Sequence, residues 1–406
     1  MSHHQSLLLT LVGADRPGVT GALFSAVGDF DVAVQDLEQV VIRGQLVLCV
    51  LLVGPDCEDA AARMAAAAAE LGLSVTSDPG AAAEDPRRRG RIVVTVLGQP
   101  ITASALAAVA SGVAAHGANI DRIVRLASYP VTGIELEISG ANTQSLRTDL
   151  ARQAPGWGVD IAVSPGGLAR RGVRLVVMDV DSTLIQQEVI ELLAAEAGAD
   201  AEAAVAEITA AAMRGELDFA QSLTARVDRL AGLPEGVLDR VRSRVELAPG
   251  ARTLIRTLKR MGYRVGIVSG GFSQITDGLA SELGLDYSAA NTLEVADGQL
   301  TGRLTGPLID RAGKADALRR FAAAAGVALD QTVAIGDGAN DLDMLATAGL
   351  GIAFNAKPVV RDAADAAVSV PFLDAVLYLL GITRDEVESA DAAAGTPTPA
   401  PPLPQP

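Results

Sequence analysis

Two aspartates separated by a single residue carry the most specific chemistry in this sequence. The apolar run of residues 175–178 predicts a buried strand, and Asp179 and Asp181 follow where that strand ends. Two carboxylates on one tight turn repel each other unless a cation or a shared proton compensates their charge. The pair therefore suits a hard metal ion combined with an aspartyl nucleophile.

Three further polar groups lie just after predicted strands or at the start of helices. They are Ser269-Gly270-Gly271, Lys314 and the run Gly336–Asp341. The first turn would offer backbone N–H groups and a helix N-terminus to an anion. Together with the aspartate pair, these groups supply what phosphoryl transfer needs: a nucleophile, an acid, and donors for the phosphate oxygens. Mg²⁺ is the expected metal because the available ligands are carboxylates, carbonyls and water.

The elements that must position these groups begin near residue 172, where strands start to alternate with helices. That alternation predicts an α/β domain over residues 172–385, with a Rossmann-like parallel sheet and helices on both faces. Carboxyl ends of parallel strands meet at one edge, so the polar groups would converge there. The long helical interval after the first strand predicts an inserted cap at about residues 187–246. The predicted strands are Arg174–Asp179, Tyr263–Ser269, Thr332–Asp337, Gly351–Ala353 and Ala367–Val370.

Three local patterns complete the second half and the junction before it. The turn Asp297-Gly298 between two strand-like runs predicts a β-hairpin. Residues 390–406 are mostly Ala, Thr and Pro without periodicity, which predicts a disordered tail. The run Arg87–Arg89 is interpreted as a solvated linker, because the chain as a whole is acidic.

The four chemical motifs resemble the haloacid dehalogenase superfamily of aspartyl-phosphate phosphatases. That superfamily combines D-x-D-x-T, a strand-end Ser or Thr, a Lys and a G-D-x-x-x-D run. The same positions are filled here, in order, by Asp179-x-Asp181-x-Thr183, Ser269, Lys314 and Gly336-Asp337-x-x-x-Asp341. The resemblance extends to the phosphoserine phosphatases through Glu188, Ser222-Leu223-x-x-Arg226-Val227 and Val268-Ser269-Gly270-Gly271-Phe272.

The resemblance implies separate roles for the acids. Asp179 would be the nucleophile, and Asp181 would be the general acid and later the base for water. Mg²⁺ would be held by the side chains of Asp179 and Asp337 and by the backbone carbonyl of Asp181, with Asp341 supporting the water shell of the metal. The phosphate would be held by Ser269, Gly270 and Lys314.

The resemblance also implies the substrate, O-phospho-L-serine, hydrolysed to L-serine and phosphate in the last step of serine biosynthesis. Glu188 and Arg226 in the cap would hold its amino and carboxylate groups. A zwitterionic amino acid requires one anion and one cation, and Arg can bind a carboxylate with two hydrogen bonds. Asn340 would be a further substrate contact, and Phe219 would form a wall of the cap.

The first half of the chain contains a duplication. Two segments of βαββαβ order repeat, with Gly13 matching Gly98 and Asp36 matching Asp121 at the same sequence offset. This order predicts two α+β ferredoxin-like domains, over residues 5–80 and 91–165. Both resemble ACT domains, which are regulatory modules that bind amino acids.

A breaker-rich turn, Asp15-Arg16-Pro17-Gly18, marks the expected effector site of the first copy. The resemblance implies that Asp15 and Gly18 bind an amino acid, with serine as the expected feedback effector; a purely structural turn is the alternative. In the second copy, Ala103 stands where the first has Gly18, so dimerisation is at least as good an interpretation of that copy. A homodimer formed through these domains is expected.

Composition excludes several classes of protein. A formal charge of −16 argues against nucleic acid as a partner, because such binding requires a basic face. Two cysteines cannot form a disulfide framework, and no apolar run is long enough to span a membrane. We therefore expect a cytoplasmic protein with a small-molecule substrate. Two alternatives remain: a phosphatase of another small phosphate ester, and a non-catalytic amino-acid sensor.

Overall fold

A computed structural model gives the fold of residues 6–80, 92–167, 172, 174–214 and 216–399. The chain divides into two units, Met1–Pro86 and Arg87–Pro406. The predicted linker at Arg87–Arg89 lies outside the described residues. Within the described part of the chain, every helix is too short or too polar to cross a bilayer.

The first unit is an antiparallel sheet of strand order β2-β3-β1-β4 with two helices against one face. Along β3 buried residues alternate with more exposed ones, and Leu46, Leu48 and Val50 pack against Met64 of α2. β2 is exposed along its whole length and leaves an open sheet edge. The elements in chain order are β1 (Ser6–Ala14), α1 (Val19–Val27), β2 (Ala33–Ile42), β3 (Gln45–Val53), α2 (Cys57–Glu70) and β4 (Ser74–Pro79).

The second unit begins with another copy of the same arrangement, with strand order β8-β5-β7-β6. Its core includes Val94, Val109 and Leu150, which join the sheet to both helices. Both ferredoxin-like copies confirm the predicted fold class. The elements are β5 (Ile92–Gly98), α3 (Ala103–Ala115), β6 (Asn119–Ala127), β7 (Thr132–Ser139), α4 (Thr143–Trp157) and β8 (Asp160–Pro165).

A mainly parallel sheet follows, and its central strand is the apolar run that precedes Asp179. The strands are β9 (Leu175–Met178), β10 (Arg264–Phe272), β11 (Tyr287–Ala296), β12 (Gln299–Thr305), β13 (Thr332–Gly336), β14 (Leu350–Phe354) and β15 (Ala366–Val368). β9 lies between β10 and β13, parallel to both, and all four of its residues are buried. β15 pairs with β8 at Ala366 and Ala162, so the sheet continues into the second ferredoxin-like copy.

Four of the helices between β9 and β10 lie in the interval predicted for the cap: α5 (Val189–Ala197), α6 (Ala199–Met213), α7 (Phe219–Asp228) and α8 (Val237–Arg244). A capping box between Asp218 and Gln221 starts α7, which buries Leu223 and Val227. The remaining helices of the described residues are α9 (Ala251–Arg260), α10 (Ser273–Leu283), α11 (Arg311–Ala325), α12 (Leu342–Thr347), α13 (Pro358–Arg361), α14 (Val376–Leu379) and α15 (Arg384–Ala393).

The predicted hairpin is confirmed. β11 and β12 pair in antiparallel fashion across Ala296 and Gln299. The two residues between them, Asp297 and Gly298, have φ values of 51° and 74°. Positive φ at both central positions is what a two-residue type I′ turn requires, which explains the Asp-Gly pair.

The prediction of a disordered tail is wrong for its first part. Residues 390–393 belong to α15, and the carboxylate of Asp391 is buried between the guanidinium groups of Arg256 and Arg260. The hydroxyl of Thr398 donates to the same carboxylate at 2.6 Å. A buried ion pair with a helix far away in sequence anchors a segment whose composition alone suggests disorder; residues 400–406 lie outside the described part.

Candidate active site

The candidate nucleophile leaves the central strand at its carboxyl end. Because β9 runs parallel to β10 and β13, Asp179, Ser269 and Asp337 lie at the same sheet edge. The chain then makes a tight turn over Val180–Leu184, in which Ser182 adopts the left-handed conformation with φ 58°. A non-glycine residue in that conformation is strained, and such strain is common at functional sites.

A buried cation lies behind the nucleophile. Nζ of Lys314 is 2.7 Å from Oδ1 of Asp179 and 2.6 Å from Oδ1 of Asp341, and the lysine side chain is fully buried. Burial alone would lower the pKa of Lys314, but Asp179 and Asp341 outweigh it and raise that pKa. Lys314 is therefore a permanent positive charge held at the edge of the sheet.

Lys314 does not fully balance the negative charge around the carboxyl of Asp179. The pKa of this carboxyl is raised well above the ordinary value, first by burial and then by the charge of Asp341, and Lys314 opposes this only in part. Its Oδ1 is buried 2.7 Å from the Lys314 ammonium, and the same ammonium is 2.6 Å from Oδ1 of Asp341. Two buried carboxylates that share one cation leave negative charge that a further cation would balance.

The residues around it fit a hard divalent metal. Carboxylate oxygens of Asp179, Asp337 and Asp341 all lie within 4.8 Å of one another. Burial, and then the charge of Asp341, raise the pKa of Asp337 to about 6, and the Thr183 hydroxyl donates to its Oδ1 at 2.9 Å. Three oxygen donors without a thiol or an imidazole match the preference of Mg²⁺.

Asp181 does not belong to that group of three carboxylates, and both of its oxygens accept hydrogen bonds. Its Oδ1 accepts a hydrogen bond from the Val189 backbone at 2.8 Å, and its Oδ2 accepts one from the Ser269 hydroxyl at 2.9 Å. The backbone N–H of Gly271 in turn donates to Ser269 Oγ at 2.7 Å. Burial raises the pKa of Asp181, so a proton is held more tightly there than on an exposed aspartate.

A cleft of about 520 Å³ lies between the sheet edge and the cap. From the sequence-predicted set, it is lined by Asp179, Asp181, Glu188, Phe219, Arg226, Gly270, Asp337 and Asn340. Ser269, Lys314 and Asp341 are fully buried and lie behind these lining residues. The structure thus brings every residue that was predicted for the second half either to the cleft or directly behind it.

The two cap charges lie in the same cleft. Oε1 of Glu188 accepts a hydrogen bond from the Ser182 hydroxyl at 2.8 Å. Burial, and then the charge of Asp181, raise the pKa of Glu188 to about 7. Burial lowers the pKa of Arg226, and Glu188 opposes that shift. One anion and one cation are thus present in the space above the nucleophile.

Comparison with known proteins decides the family. Residues 176–346 match haloacid dehalogenase-like hydrolases, and residues 5–77 and 91–164 match ACT domains. A phosphoserine phosphatase of Streptomyces coelicolor is 62% identical over 392 residues, which is 96% of this chain and 95% of that protein. One from Mycobacterium tuberculosis is 55% identical over 393 residues, covering 95% of this chain and 96% of that protein. The chain belongs to the phosphoserine phosphatase family.

A solved structure agrees with this assignment. The unliganded structure of a probable phosphoserine phosphatase from Vibrio cholerae has a TM-score of 0.55 and 35% identity. It covers 73% of this chain and 87% of that one.

Some cleft residues of this family member were not predicted from its sequence. Arg311 lines the cleft and donates to Oδ1 of Asp343 from Nε at 2.8 Å and Nη2 at 2.6 Å. Lys357 and Val359 line it from the segment after β14. The signal for these two was available, because they follow a predicted parallel strand and therefore belong at the same sheet edge.

The predicted effector residues share a shallow cavity in the first ACT domain. Asp15 and Gly18 line a space of about 300 Å³ together with Thr20 and Gln39. Gly18 has φ 91°, which other residues rarely adopt, and precedes α1. In the second ACT domain the hydroxyl of Thr102 caps the equivalent helix by accepting from the backbone of Ala105 at 3.1 Å.

Proposed function

We propose that this protein is a Mg²⁺-dependent phosphatase that hydrolyses O-phospho-L-serine to L-serine and phosphate, the last step of serine biosynthesis. The observation that carries the proposal is the common cleft of Asp179, a carboxylate at the end of the central strand, and the charged cap pair Glu188 and Arg226. The names of relatives that are similar over nearly the whole chain support the same substrate.

In the first step, a carboxylate oxygen of Asp179 attacks phosphorus and forms an aspartyl phosphate. The bond from phosphorus to the serine oxygen breaks, and Asp181 gives its proton to that leaving oxygen. The hydrogen bonds from Val189 and Ser269 support this role, because they fix the orientation of the Asp181 carboxyl.

In the second step, water hydrolyses the aspartyl phosphate. Asp181, now ionised, takes a proton from the water as its oxygen bonds to phosphorus, and the bond from phosphorus to Asp179 breaks. Inorganic phosphate leaves, Asp179 returns as a carboxylate, and Asp181 is protonated again.

Charge on the phosphoryl oxygens has to be balanced throughout. Lys314 supplies a fixed positive charge directly behind Asp179, and Ser269 and Gly270 contribute donors at the adjacent turn. Mg²⁺, held by the side chains of Asp179 and Asp337 and the backbone carbonyl of Asp181, with Asp341 supporting its water shell, would neutralise further negative charge on these oxygens.

Substrate selection is assigned to the cap. Glu188 would bind the ammonium group of the substrate and Arg226 its carboxylate, because each offers the opposite charge. Asn340 would add a polar contact from the sheet edge, and Phe219 would close the apolar side of the cleft.

Regulation is assigned to the domains before the phosphatase domain (172–385). The first ACT domain, residues 5–80, would bind serine at Asp15 and Gly18 and mediate feedback. A cytoplasmic homodimer would form through the ACT domains, 5–80 and 91–165. The open edge of β2, with Val34 and Ile42 exposed, supports this because unpaired strand edges tend to pair.

The test is phosphate release from phosphoserine by the full-length protein, with and without Mg²⁺ and with and without added serine. We expect turnover that requires Mg²⁺ and changes with serine. A panel with phosphothreonine and sugar phosphates tests the substrate; preference for another ester would overturn the assignment to phosphoserine. Detection of a phosphoryl or beryllofluoride adduct on Asp179 tests the intermediate.

A further inference from the structure

A buried amide lies beside an irregular part of β10. The strands β10 and β11 pair regularly up to Val268 and Ala289, and they pair again at Phe272 and Asn291. Residues 269–271 of β10 therefore face a single residue of β11, and the strand bulges at the turn that is proposed to hold the phosphate. Asn291 stands at the end of this bulge, and only 1% of its surface is exposed.

The partners of the Asn291 amide set its orientation. Its Oδ1 accepts a hydrogen bond from the Ile309 N–H at 2.7 Å, so Nδ2 is the atom that faces carbonyl oxygens. Nδ2 donates to the Gly270 carbonyl at 2.9 Å and, over 3.4 Å, to the Ile309 carbonyl. The amide is therefore anchored on Ile309 and directed at the bulge.

The Gly270 carbonyl belongs to the same peptide unit as the Gly271 N–H. Because a peptide unit is planar, a donor that fixes the carbonyl also fixes the direction of the N–H. That N–H donates to Ser269 Oγ at 2.7 Å, and the Ser269 hydroxyl donates to Oδ2 of Asp181 at 2.9 Å. A continuous series of hydrogen bonds and one rigid peptide thus joins the Asn291 amide to Asp181.

We propose that Asn291 is a positioning residue for phosphoryl transfer, whose amide holds the Gly270–Gly271 peptide and thereby keeps the Ser269 hydroxyl on Asp181. The inference rests on the proposed function, in which Asp181 protonates the leaving oxygen. Asn291 is not among the described residues that line the cleft, so it acts through these groups and not on the substrate. Without the amide, the peptide loses this donor, and the Ser269 hydroxyl no longer fixes the direction of the Asp181 carboxyl.

The test compares N291A with the wild type on two esters whose leaving groups differ in their need for a proton. The serine oxygen of phosphoserine must be protonated as it leaves, whereas p-nitrophenolate leaves readily as an anion. The value compared is kcat/KM, because it covers the reaction up to release of the leaving group and not the later hydrolysis. At saturating Mg²⁺, kcat/KM should fall about 30-fold for phosphoserine but only about threefold for p-nitrophenyl phosphate.

The matched control is L293A, which truncates a buried side chain two residues further along β11 and outside the described cleft lining. It should lower the melting temperature, as N291A does, and leave kcat/KM for both esters within about twofold of wild type. Equal losses on the two esters in N291A would overturn the proposal, because a general disturbance of the fold does not distinguish between leaving groups. Wild-type values in N291A, or the same inequality in L293A, would also overturn it.

A double-mutant cycle tests the route through Ser269. S269A removes the hydroxyl between the Gly271 N–H and Asp181, so it should by itself lower kcat/KM for phosphoserine. N291A added to S269A should then cost less than about threefold, far below its effect in the wild type. A further loss of about 30-fold would contradict the proposed route, because independent effects multiply. If circular dichroism shows that N291A is unfolded, N291S, whose hydroxyl is shorter than the amide, is compared in its place with the same expected inequality.

Failure of this inference is distinguishable from failure of the proposed function, because the wild type tests the latter. If the wild type hydrolyses p-nitrophenyl phosphate but not phosphoserine, the substrate assignment fails. The variants are then compared on p-nitrophenyl phosphate and phenyl phosphate, whose leaving oxygen is more basic, with the larger loss expected for phenyl phosphate. A wild type that hydrolyses none of these esters would overturn the proposed function and this inference together.

Discussion

The catalytic cleft and the cavity of the first ACT domain hold their polar groups in opposite ways. In the cleft, the fully buried Lys314 bridges the buried carboxylates Asp179 and Asp341. In the ACT cavity, Asp15 and Gly18 are exposed. The shape of this turn depends on the left-handed backbone of Gly18 and not on a buried charge pair. Buried charges depend on one another, so removal of a charge in the cleft should change both stability and catalysis. Substitutions at the exposed turn should change ligand binding with only a small change in stability.

The two ACT domains differ as well, although they share one fold. The first belongs to a separate unit, whereas the second is joined to the catalytic sheet. Asp160 accepts hydrogen bonds from the backbone and hydroxyl of Ser369, and Arg147 forms an ion pair with Asp365 at 2.6 Å. The second ACT domain is therefore held to the phosphatase domain by a shared sheet and by side-chain bonds.

The largest effect is expected from Asp179→Asn. An amide cannot serve as the nucleophile, so phosphate release from phosphoserine should fall roughly 10³-fold or more. Far-ultraviolet circular dichroism should show an unchanged fold. The control, Asp316→Asn, alters an exposed carboxylate paired with Arg319 and should keep wild-type turnover. Wild-type activity in Asp179→Asn would rule out a mechanism in which Asp179 forms an aspartyl phosphate.

Lys314→Met tests whether the buried charges are interdependent. Without the ammonium, Asp179 and Asp341 repel each other in a buried site, so the free energy of unfolding should fall by about 3–5 kcal/mol in EDTA. Urea denaturation measures this change in the free energy of unfolding. Lys259→Met, at an exposed lysine, is the control. Adding Asp341→Asn to Lys314→Met should restore part of the lost stability; a further loss would contradict the pairing.

The raised pKa of Glu188 predicts a pH dependence in the metal-free protein. Its folded-state pKa is about 7 against an ordinary 4.5, so the folded state binds this proton more tightly than the unfolded state does. The corresponding stability is fully present below about pH 4.5 and is lost as the pH rises through about 7. Glu188→Gln should therefore gain stability relative to wild type over that window, by roughly 2–3 kcal/mol.

Urea denaturation in EDTA from pH 4.5 to 8 measures this difference. Glu191→Gln, at an exposed glutamate of the helix that begins directly after Glu188, is the control and should show no comparable trend. A Glu188→Gln difference that stays constant over the whole range would mean that burial does not shift the titration of this carboxyl.

The smallest effect is expected at the ACT cavity. Gly18→Ala introduces a side chain at φ 91° and should destabilise the first unit by about 1 kcal/mol. Basal turnover should stay unchanged, while the response to added serine should weaken. Ala103→Gly, at the position that the sequence offset of the repeat matches to Gly18, is the control and should leave the serine response intact. A normal response in Gly18→Ala would place the effector elsewhere.

Much of the site could be predicted because its residues follow strands. Asp179 and Asp337 follow the ends of β9 and β13, and Ser269 lies on β10 just beyond its pairing with β9, so the parallel geometry brings the three together. The hairpin at Asp297-Gly298 was predictable for an equally local reason. The depth of Lys314 was not predictable, because burial depends on which carboxylates the fold places around it.

Longer-range pairings also left no signal in the sequence. The hydrogen bond from Ser269 to Asp181 joins two motifs for which the sequence predicts different roles, phosphate binding and proton transfer. The anchoring of Asp391 by Arg256 and Arg260 joins α15 to a helix far away along the chain. Neither has a fixed spacing that a pattern could reveal.

From the sequence alone follow the fold class, the family resemblance, and the residue types gathered at one sheet edge. These depend on periodicity and on motif order, which are properties of the chain itself. Only the tertiary structure showed which carboxylates share the buried Lys314. It also showed that Asp181 lies outside the group of three carboxylates that could bind a metal, and that Lys357 lines the cleft. Those features depend on burial and on distances between remote segments, which are set when the helices and strands pack together.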